Sequence, residues 1–224
     1  MITVFIPARG GSKAVPGKNI KEFARKPLIV HSIEFALQSK LIKEVVVSTD
    51  NSEITRIANS AGAKVINRPE KLATDTATTE SVIHHYLNKF SKKPDIVVLL
   101  QATSPLRPKG SLDEALKHFT KGGYDSLLSI SPTHRFFWKV KDDNTAYAEY
   151  DYLNRPLRQD MKLEDMRYLE NGSLYIFTRK HFKKTGNRLG GKIGYVAWPE
   201  EFSLEIDTPL DFEFVEKIYK SQNS

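Results

Sequence analysis

Short apolar, β-branched runs alternate with amphipathic stretches along most of this chain. Ile2–Ala8, Glu44–Thr49, Lys64–Asn67, Ile96–Gln101 and Asp125–Ile130 are too short and too apolar for surface helices, and they read as strands. Between them, Pro27–Ser39, Ser52–Ala61, Thr79–Phe90 and Ser111–Phe119 place apolar residues at helical spacing. Gly62 is the expected C-cap of the second helix, and a Ser111-to-Glu114 capping box is expected to open the fourth. The rhythm returns at Ser173–Phe177, Ile193–Trp198 and a last helix, Pro209–Tyr219, with Ser221–Ser224 expected to fray. A strand–helix alternation of this kind predicts an α/β fold with a mostly parallel sheet flanked by helices. At 224 residues and 40% hydrophobic, one domain spanning 1–224 is expected.

The first strand empties into ARGGSKAVPGKN, a loop rich in glycine and cations. At the carboxyl end of a strand, such a loop offers backbone donors and positive charge to a phosphate. Arg9, Lys13 and Lys18 supply the charge. Gly10 and Gly11 are expected to permit close approach and positive φ, and Pro16-Gly17 to turn the chain. The loop is not a Walker A sequence. Ser12 stands where its first Gly belongs, and Asn19 where its magnesium-binding hydroxyl belongs. The dinucleotide fingerprint G-x-G-x-x-G is also absent from it.

The formal charge of +7 is spread along the chain apart from that loop, so a polyphosphate and an acidic sugar account for it without nucleic acid. With no cysteine, disulfides and thiolate metal sites are excluded, and a cytoplasmic setting is expected. No apolar stretch is long enough for a membrane span, and no leader pattern precedes the first strand. The six histidines show no metal-site spacing; His84 and His85 point about 100° apart on a helix.

Several polar and acidic positions bear on the chemistry. Glu205 and Asp207, two apart in an extended segment, put both carboxylates on one face, which suits Mg²⁺ beside a triphosphate. Asp211 reads as structural, completing a Thr208–Pro209 helix start. Asp50 is either an N-cap, with Glu53 three residues on, or a ligand. Thr78 and Thr79 suit helix capping and ligand contact alike. Gln101 ends the most apolar strand, where open α/β sheets place their crevice, and either binds substrate or bonds to the Thr103–Pro105 backbone. From Thr133 to Tyr168 the rhythm breaks. Phe136-Phe137-Trp138 and the alternating Tyr147 and Glu149 suggest hairpin strands projecting from the core, a partner surface if their aromatics are exposed.

ARGGSKAVPGKN, VVVSTD at Val45–Asp50, the segment around Arg68 and Ala73–Thr79, LLQATSPLR at Leu99–Arg107, RPLRQD at Arg155–Asp160, ENGSLYIF at Glu170–Phe177 and LEIDT at Leu204–Thr208 occur in order over nearly the whole chain. Together they resemble the acylneuraminate cytidylyltransferases, which activate nonulosonic acids with CTP. The resemblance implies a Rossmann-like nucleotidyltransferase with Mg²⁺, using CTP and an acidic nine-carbon sugar. It implies a homodimer built through the 133–168 segment, with Arg155 or Arg158 serving a partner's site. Arg9, Ser12, Lys18 and Asn19 are expected on the triphosphate, and Arg68, Ala77 and Thr79 on the nucleotide. Gln101 is expected on substrate, through the sugar or the base, and Asn171 on the sugar, with a turn before Gly172 as the other use of Asn171. Arg158 is expected as an active-site arginine, and Asp207 with Glu205 on the metal. Bacterial members of that family commonly have Asp where this chain has the longer Glu205, so Asp207 is the firmer ligand. The rival readings are a transferase for the eight-carbon sugar Kdo and a nucleotide-binding module without catalysis.

Overall fold

The computed structural model describes residues 1–89, 93–161 and 166–222. Phe90, part of the 133–168 segment and the last two residues therefore lie outside the described residues. In chain order the elements are β1 (Ile2–Pro7), β2 (Glu22–Phe23), β3 (Lys26–Pro27), α1 (Leu28–Leu37), β4 (Glu44–Thr49), α2 (Ser52–Ser60), β5 (Lys64–Asn67), α3 (Thr79–Lys89), β6 (Ile96–Leu100) and α4 (Ser111–Gly122). They continue with β7 (Ser126–Thr133), β8 (Trp138–Val140), β9 (Ala146–Ala148), β10 (Arg167–Thr178), α5 (Arg179–Thr185), β11 (Ile193–Ala197) and α6 (Pro209–Gln222).

The main sheet runs β11-β7-β10-β6-β1-β4-β5. Its pairs are parallel except where β10 lies antiparallel between β6 and β7. Period-two alternation sorts the strand side chains onto two faces. Val4, Ile6, Val45, Val47, Val98 and Leu100 face one way, against Ile29 and Ile33 of α1, Ile54 of α2, and Leu112 and Leu116 of α4. Phe5, Val46, Val97 and Leu99 face the other, against Val82, Ile83 and Tyr86 of α3 and Phe182 of α5. Phe5 stacks on Tyr86 at 4.6 Å between ring centres. A third cluster fastens α6 over the first loop, where Phe212 and Val215 meet Val15, Phe23, Leu28, Leu106 and Ile206. Strand order reverses between the parallel neighbours β1 and β6, since β1 continues through α1 to β4 on one side while β6 lies on the other. In open α/β sheets this is where ligands bind.

Helix starts depart from expectation at two places. Gly110, at φ 77°, is the N-cap of α4, so Ser111 is already helical and its hydroxyl is buried without a hydrogen-bond partner among the described residues. Asn51, not Asp50, caps α2, and its Oδ1 accepts from the amides of Glu53 and Ile54 at 2.9 and 3.0 Å. The Thr208 box holds as expected. Asp211 N donates to Thr208 Oγ1 at 3.2 Å, and Thr208 N donates to Asp211 Oδ2 at 2.7 Å. Thr78 also caps, accepting from Ser81 N at 3.2 Å.

β8 and β9 form the expected hairpin, with Trp138 opposite Ala148. Trp138, Val140, Tyr147, Tyr152, Leu153 and Leu157 are exposed on and beside it.

Candidate active site

A cleft of about 270 Å³ opens at the carboxyl ends of β1 and β6. Arg9, Ser12, Lys18 and Asn19 line it from the first loop, and Arg68, Asp75, Ala77 and Thr79 from the chain that follows β5. Gln101 and Thr103 line it from the end of β6. The chain thus gathers every nucleotide-side candidate in one place.

Contacts from several elements hold the first loop. Gly10 N donates to Asp50 Oδ1 at 2.9 Å, and Asn19 Nδ2 donates to the Arg9 carbonyl at 2.9 Å. A Cβ on Gly10 would stand 2.9 Å from Asn51, so glycine is required there by close approach. Neither Gly10 nor Gly11 has the positive φ expected of it. That conformation falls at Gly17, φ 63°, in the Pro16-Gly17 turn. Asp50 therefore orients the loop instead of capping α2.

The cleft is cationic and its charges are only partly balanced. Arg68 is 5% exposed and donates through Nη2 to the Ser48 carbonyl at 2.7 Å. Burial lowers its pKa to about 10, with Asp50 opposing and Arg9 adding to the fall, so it stays protonated at neutral pH. Asp75 bridges Lys13 Nζ at 2.5 Å and Arg9 Nη2 at 2.7 Å. These two cations hold its carboxyl below the usual range. In this arrangement Asp75 occupies the same donors that a phosphate would use, a role that sequence reading missed. The only sequence signal was one acid inside the DTATT run.

The carboxylate pair borders the cleft. Ile206 N donates to the Thr103 carbonyl at 2.9 Å, and Lys18 Nζ donates to the Ile206 carbonyl at 2.6 Å. Lys18 Nζ also lies 3.5 Å from Asp207 Oδ1. The Glu205 carboxylate packs onto Gly172, whose φ of 63° and missing side chain make the room; any Cβ there would collide with it. Burial, and next the Asp207 charge, push the Glu205 pKa up to about 6 from 4.5, with Lys18 opposing. No cluster of three or more acidic, His or Cys ligands occurs among the described residues. Two hard oxygen donors whose charges repel, next to a phosphate-type cleft, fit a cation that completes its shell with water and substrate phosphates.

The raised pKa carries a stability prediction for metal-free protein. Below about pH 4.5 Glu205 is protonated whether folded or unfolded and has no effect. Above about pH 6 its folded carboxylate bears the full penalty. Glu205→Gln should therefore stabilise the protein at pH 8 by about 1–2 kcal/mol, with the gain vanishing as the pH falls below 4.5. Denaturant melts at both pH values in the presence of chelator test this. An equal gain at both would remove the electrostatic explanation.

Two candidates lie away from the cleft walls. Asn171 is 2% exposed and sits in β10 between Ser129 and Ser131. Ser129 Oγ donates to Asn171 Oδ1 at 2.5 Å, and Asn171 Nδ2 donates to Ser131 Oγ at 3.3 Å. Gly172 follows it in an irregularity within the strand, where the register shifts between Glu170 and Tyr175, and not in a hairpin turn. Arg158, in a short 3-10 turn, lines a separate hollow with Arg155, Phe136, Trp138 and Tyr150. The Arg155 guanidinium lies over the Phe136 ring at 4.3 Å.

A family model described as cytidylyltransferase matches residues 3–224. N-acylneuraminate cytidylyltransferase A of Danio rerio is 39% identical over 96% of this chain and 50% of its own length. CMP-N,N'-diacetyllegionaminic acid synthase of Legionella pneumophila is 36% identical over 97% of this chain and 95% of its own. The chain thus spans about half the length of the first of these relatives and nearly all of the second. A CMP:2-keto-3-deoxy-manno-octonic acid synthetase, solved with CTP, superposes with a TM-score of 0.73 at 18% identity, covering 99% of both chains, and that likeness is one of fold. With its Rossmann-like sheet, its cationic first loop and a family match over almost its whole length, this chain belongs to the cytidylyltransferase family.

Proposed function

We propose that this chain transfers a cytidylyl group from CTP to a nine-carbon 2-keto-3-deoxy sugar acid, N-acetylneuraminate or a related nonulosonate. The anomeric hydroxyl oxygen attacks the α-phosphorus, and the bond from that phosphorus to the bridging oxygen of the β-phosphate breaks. The hydroxyl proton leaves to solvent or a base, and pyrophosphate departs. The observation that carries this reading is the convergence of Arg9 and Lys18 from the first loop with Arg68 from the chain after β5 on one cleft bordered by Glu205 and Asp207. Phosphoryl transfer asks a protein mainly for positioning and charge neutralisation, and that arrangement supplies both. Arg9 and Lys18 take up charge on the departing pyrophosphate, and Ser12 and Asn19 hold the loop and its donors around the phosphates. Arg68, Ala77 and Thr79 form the nucleotide wall. The Gln101 side chain, which has no hydrogen bond among the described residues, faces the second substrate.

Asp207, with Glu205, would hold Mg²⁺, which supplies Lewis-acid charge to the phosphates and lowers the pKa of the attacking hydroxyl. The relatives named for nonulosonate activation are the ones similar in sequence, whereas the Kdo enzyme is similar in fold alone. The exposed aromatics Trp138 and Tyr152, with ring centres 6.2 Å apart, support a homodimer, with Arg155 or Arg158 offered to a neighbouring cleft. No helix among the described residues is long and apolar enough to cross a membrane. We place the reaction in the cytoplasm, to be checked by cell fractionation.

Pyrophosphate release tests the reading, with CTP, UTP, ATP and GTP each offered against a panel of nonulosonates and Kdo. Release with CTP and a nine-carbon acid, abolished by chelator, is expected, from a species sedimenting as two chains. Release with Kdo alone, or with no pair at all, would overturn it.

A further inference from the structure

Arg107 is a cation with no acidic partner among the described residues. Its guanidinium is held by neutral groups only: Nη1 donates to Ser32 Oγ at 3.0 Å, and Nη2 to the carbonyls of Gln101 at 2.7 Å and Ser173 at 3.3 Å. Its plane lies 5.2 Å from the Phe35 ring centre. Nε is buried with no hydrogen-bond partner among the described residues. Burial alone lowers its pKa, to about 9, and no neighbouring charge opposes the fall. An unpaired charge with one orphaned donor costs stability, and an apolar side chain of similar volume would avoid that cost.

What this arginine holds is informative. The β6–β10 ladder ends at the pair of Leu100 with Leu174. One residue further on, Gln101 enters the cleft wall and Ser173 follows Gly172 in the β10 irregularity. Ladder pairing stops there, and the two carbonyls receive Arg107 instead. A planar fork can serve acceptors on two strands and a helix at once, whereas an ammonium offers a single point charge. Ser32, which shares this role, is fully buried in α1, and its hydroxyl lies 3.5 Å from the Gln101 carbonyl.

We propose that Arg107 is a positioning residue for the cytidylyl-transfer reaction: it clamps the residue that follows β6 to the irregular middle of β10 so that the Gln101 side chain is held at a fixed angle in the cleft. The inference rests on the functional reading above. The Gln101 carbonyl accepts from Arg107, Ser32 and, at 3.3 Å, the Ser104 amide, so the peptide that carries the side chain has little freedom to tilt. A misplacement of about 1 Å at a reacting centre can cost about 10²-fold in rate. The phosphate-binding loop lies on other segments and does not touch Arg107, so the effect should fall on the sugar acid rather than on CTP.

The test is Arg107→Lys, alone and combined with Gln101→Ala. The single variant should fold like the parent, raise KM or lower kcat/KM for the sugar acid by about 10-fold or more, and leave KM for CTP within about 2-fold. Combined with Gln101→Ala it should add less than about 3-fold, because both changes remove the same orientation. Equal loss in both backgrounds, or equal loss toward both substrates, would overturn the clamp. Amide hydrogen exchange gives a readout free of turnover. Residues 101–104 should exchange about 10-fold faster in Arg107→Lys while α3 is unchanged. Unchanged exchange at 101–104 would reject the clamp even if the reaction is right; faster exchange in a protein with no turnover on any pair would reject the reaction and keep the clamp.

Discussion

Arg9→Ala is expected to lower turnover by about 10²–10³-fold, the loss seen when one preorganised donor to developing charge is removed. Stability should barely change. The side chain is partly exposed, and its ion pair to Asp75 is of the surface class worth about 0–1 kcal/mol. Its removal also relieves Arg68, whose charged form Arg9 disfavours. The melting temperature should therefore stay within about 2 °C of the parent. Pyrophosphate release at saturating CTP, read beside a thermal melt, decides the matter. A folded Arg9→Ala protein within fivefold of parental turnover would remove Arg9 from the catalytic set.

Asp207→Ala should show a different signature. Its side chain is largely exposed and the backbone of its segment is held independently, through Ile206 N on Thr103 and Lys18 on the Ile206 carbonyl. The fold should survive, and relief of Glu205 should favour it slightly. Catalysis should not. One carboxylate would be left to hold the cation, and Lys18 would lose the charge 3.5 Å away. The Mg²⁺ concentration for half-maximal rate should rise at least about 10-fold, and turnover at saturating Mg²⁺ should fall by about 10²-fold or more. Parental turnover with an unchanged Mg²⁺ midpoint would sink the metal assignment.

Much of the fold was legible because the apolar period is a local property. Glu44–Thr49 and Lys64–Asn67 are the strands expected, to the residue. β6 stops a residue short of the expected Gln101, and α3 matches its expected range through Lys89. β10 was recognised only over Ser173–Phe177, whereas the strand begins at Arg167. Its first half, Arg167–Glu170, carries polar residues and is a strand because β7 pairs with it, not because of its own composition. Cap identity likewise turned on geometry. Asp50, Asn51 and Ser52 are all capping types, and only the path of the chain chose Asn51 and left Asp50 to the Gly10 amide.

The candidate site divides in the same way. The type of chemistry was readable from residues adjacent in sequence: the glycine and cation loop after β1, the Glu205–Asp207 spacing and the Thr208 box. Contacts between distant segments were not readable. Asp75 neutralises Arg9 across 66 residues, Glu205 fits only because Gly172 lacks a side chain, and Arg107 reaches the residue after β6 and the middle of β10 at once. By itself the sequence determined the alternating α/β layers and the phosphate-seeking loop, since both follow from the order of side chains along one strand or turn. Tertiary structure alone decided which charges meet, which carboxylate is raised and which carbonyls an arginine must satisfy, because burial and distance are properties of the packed chain.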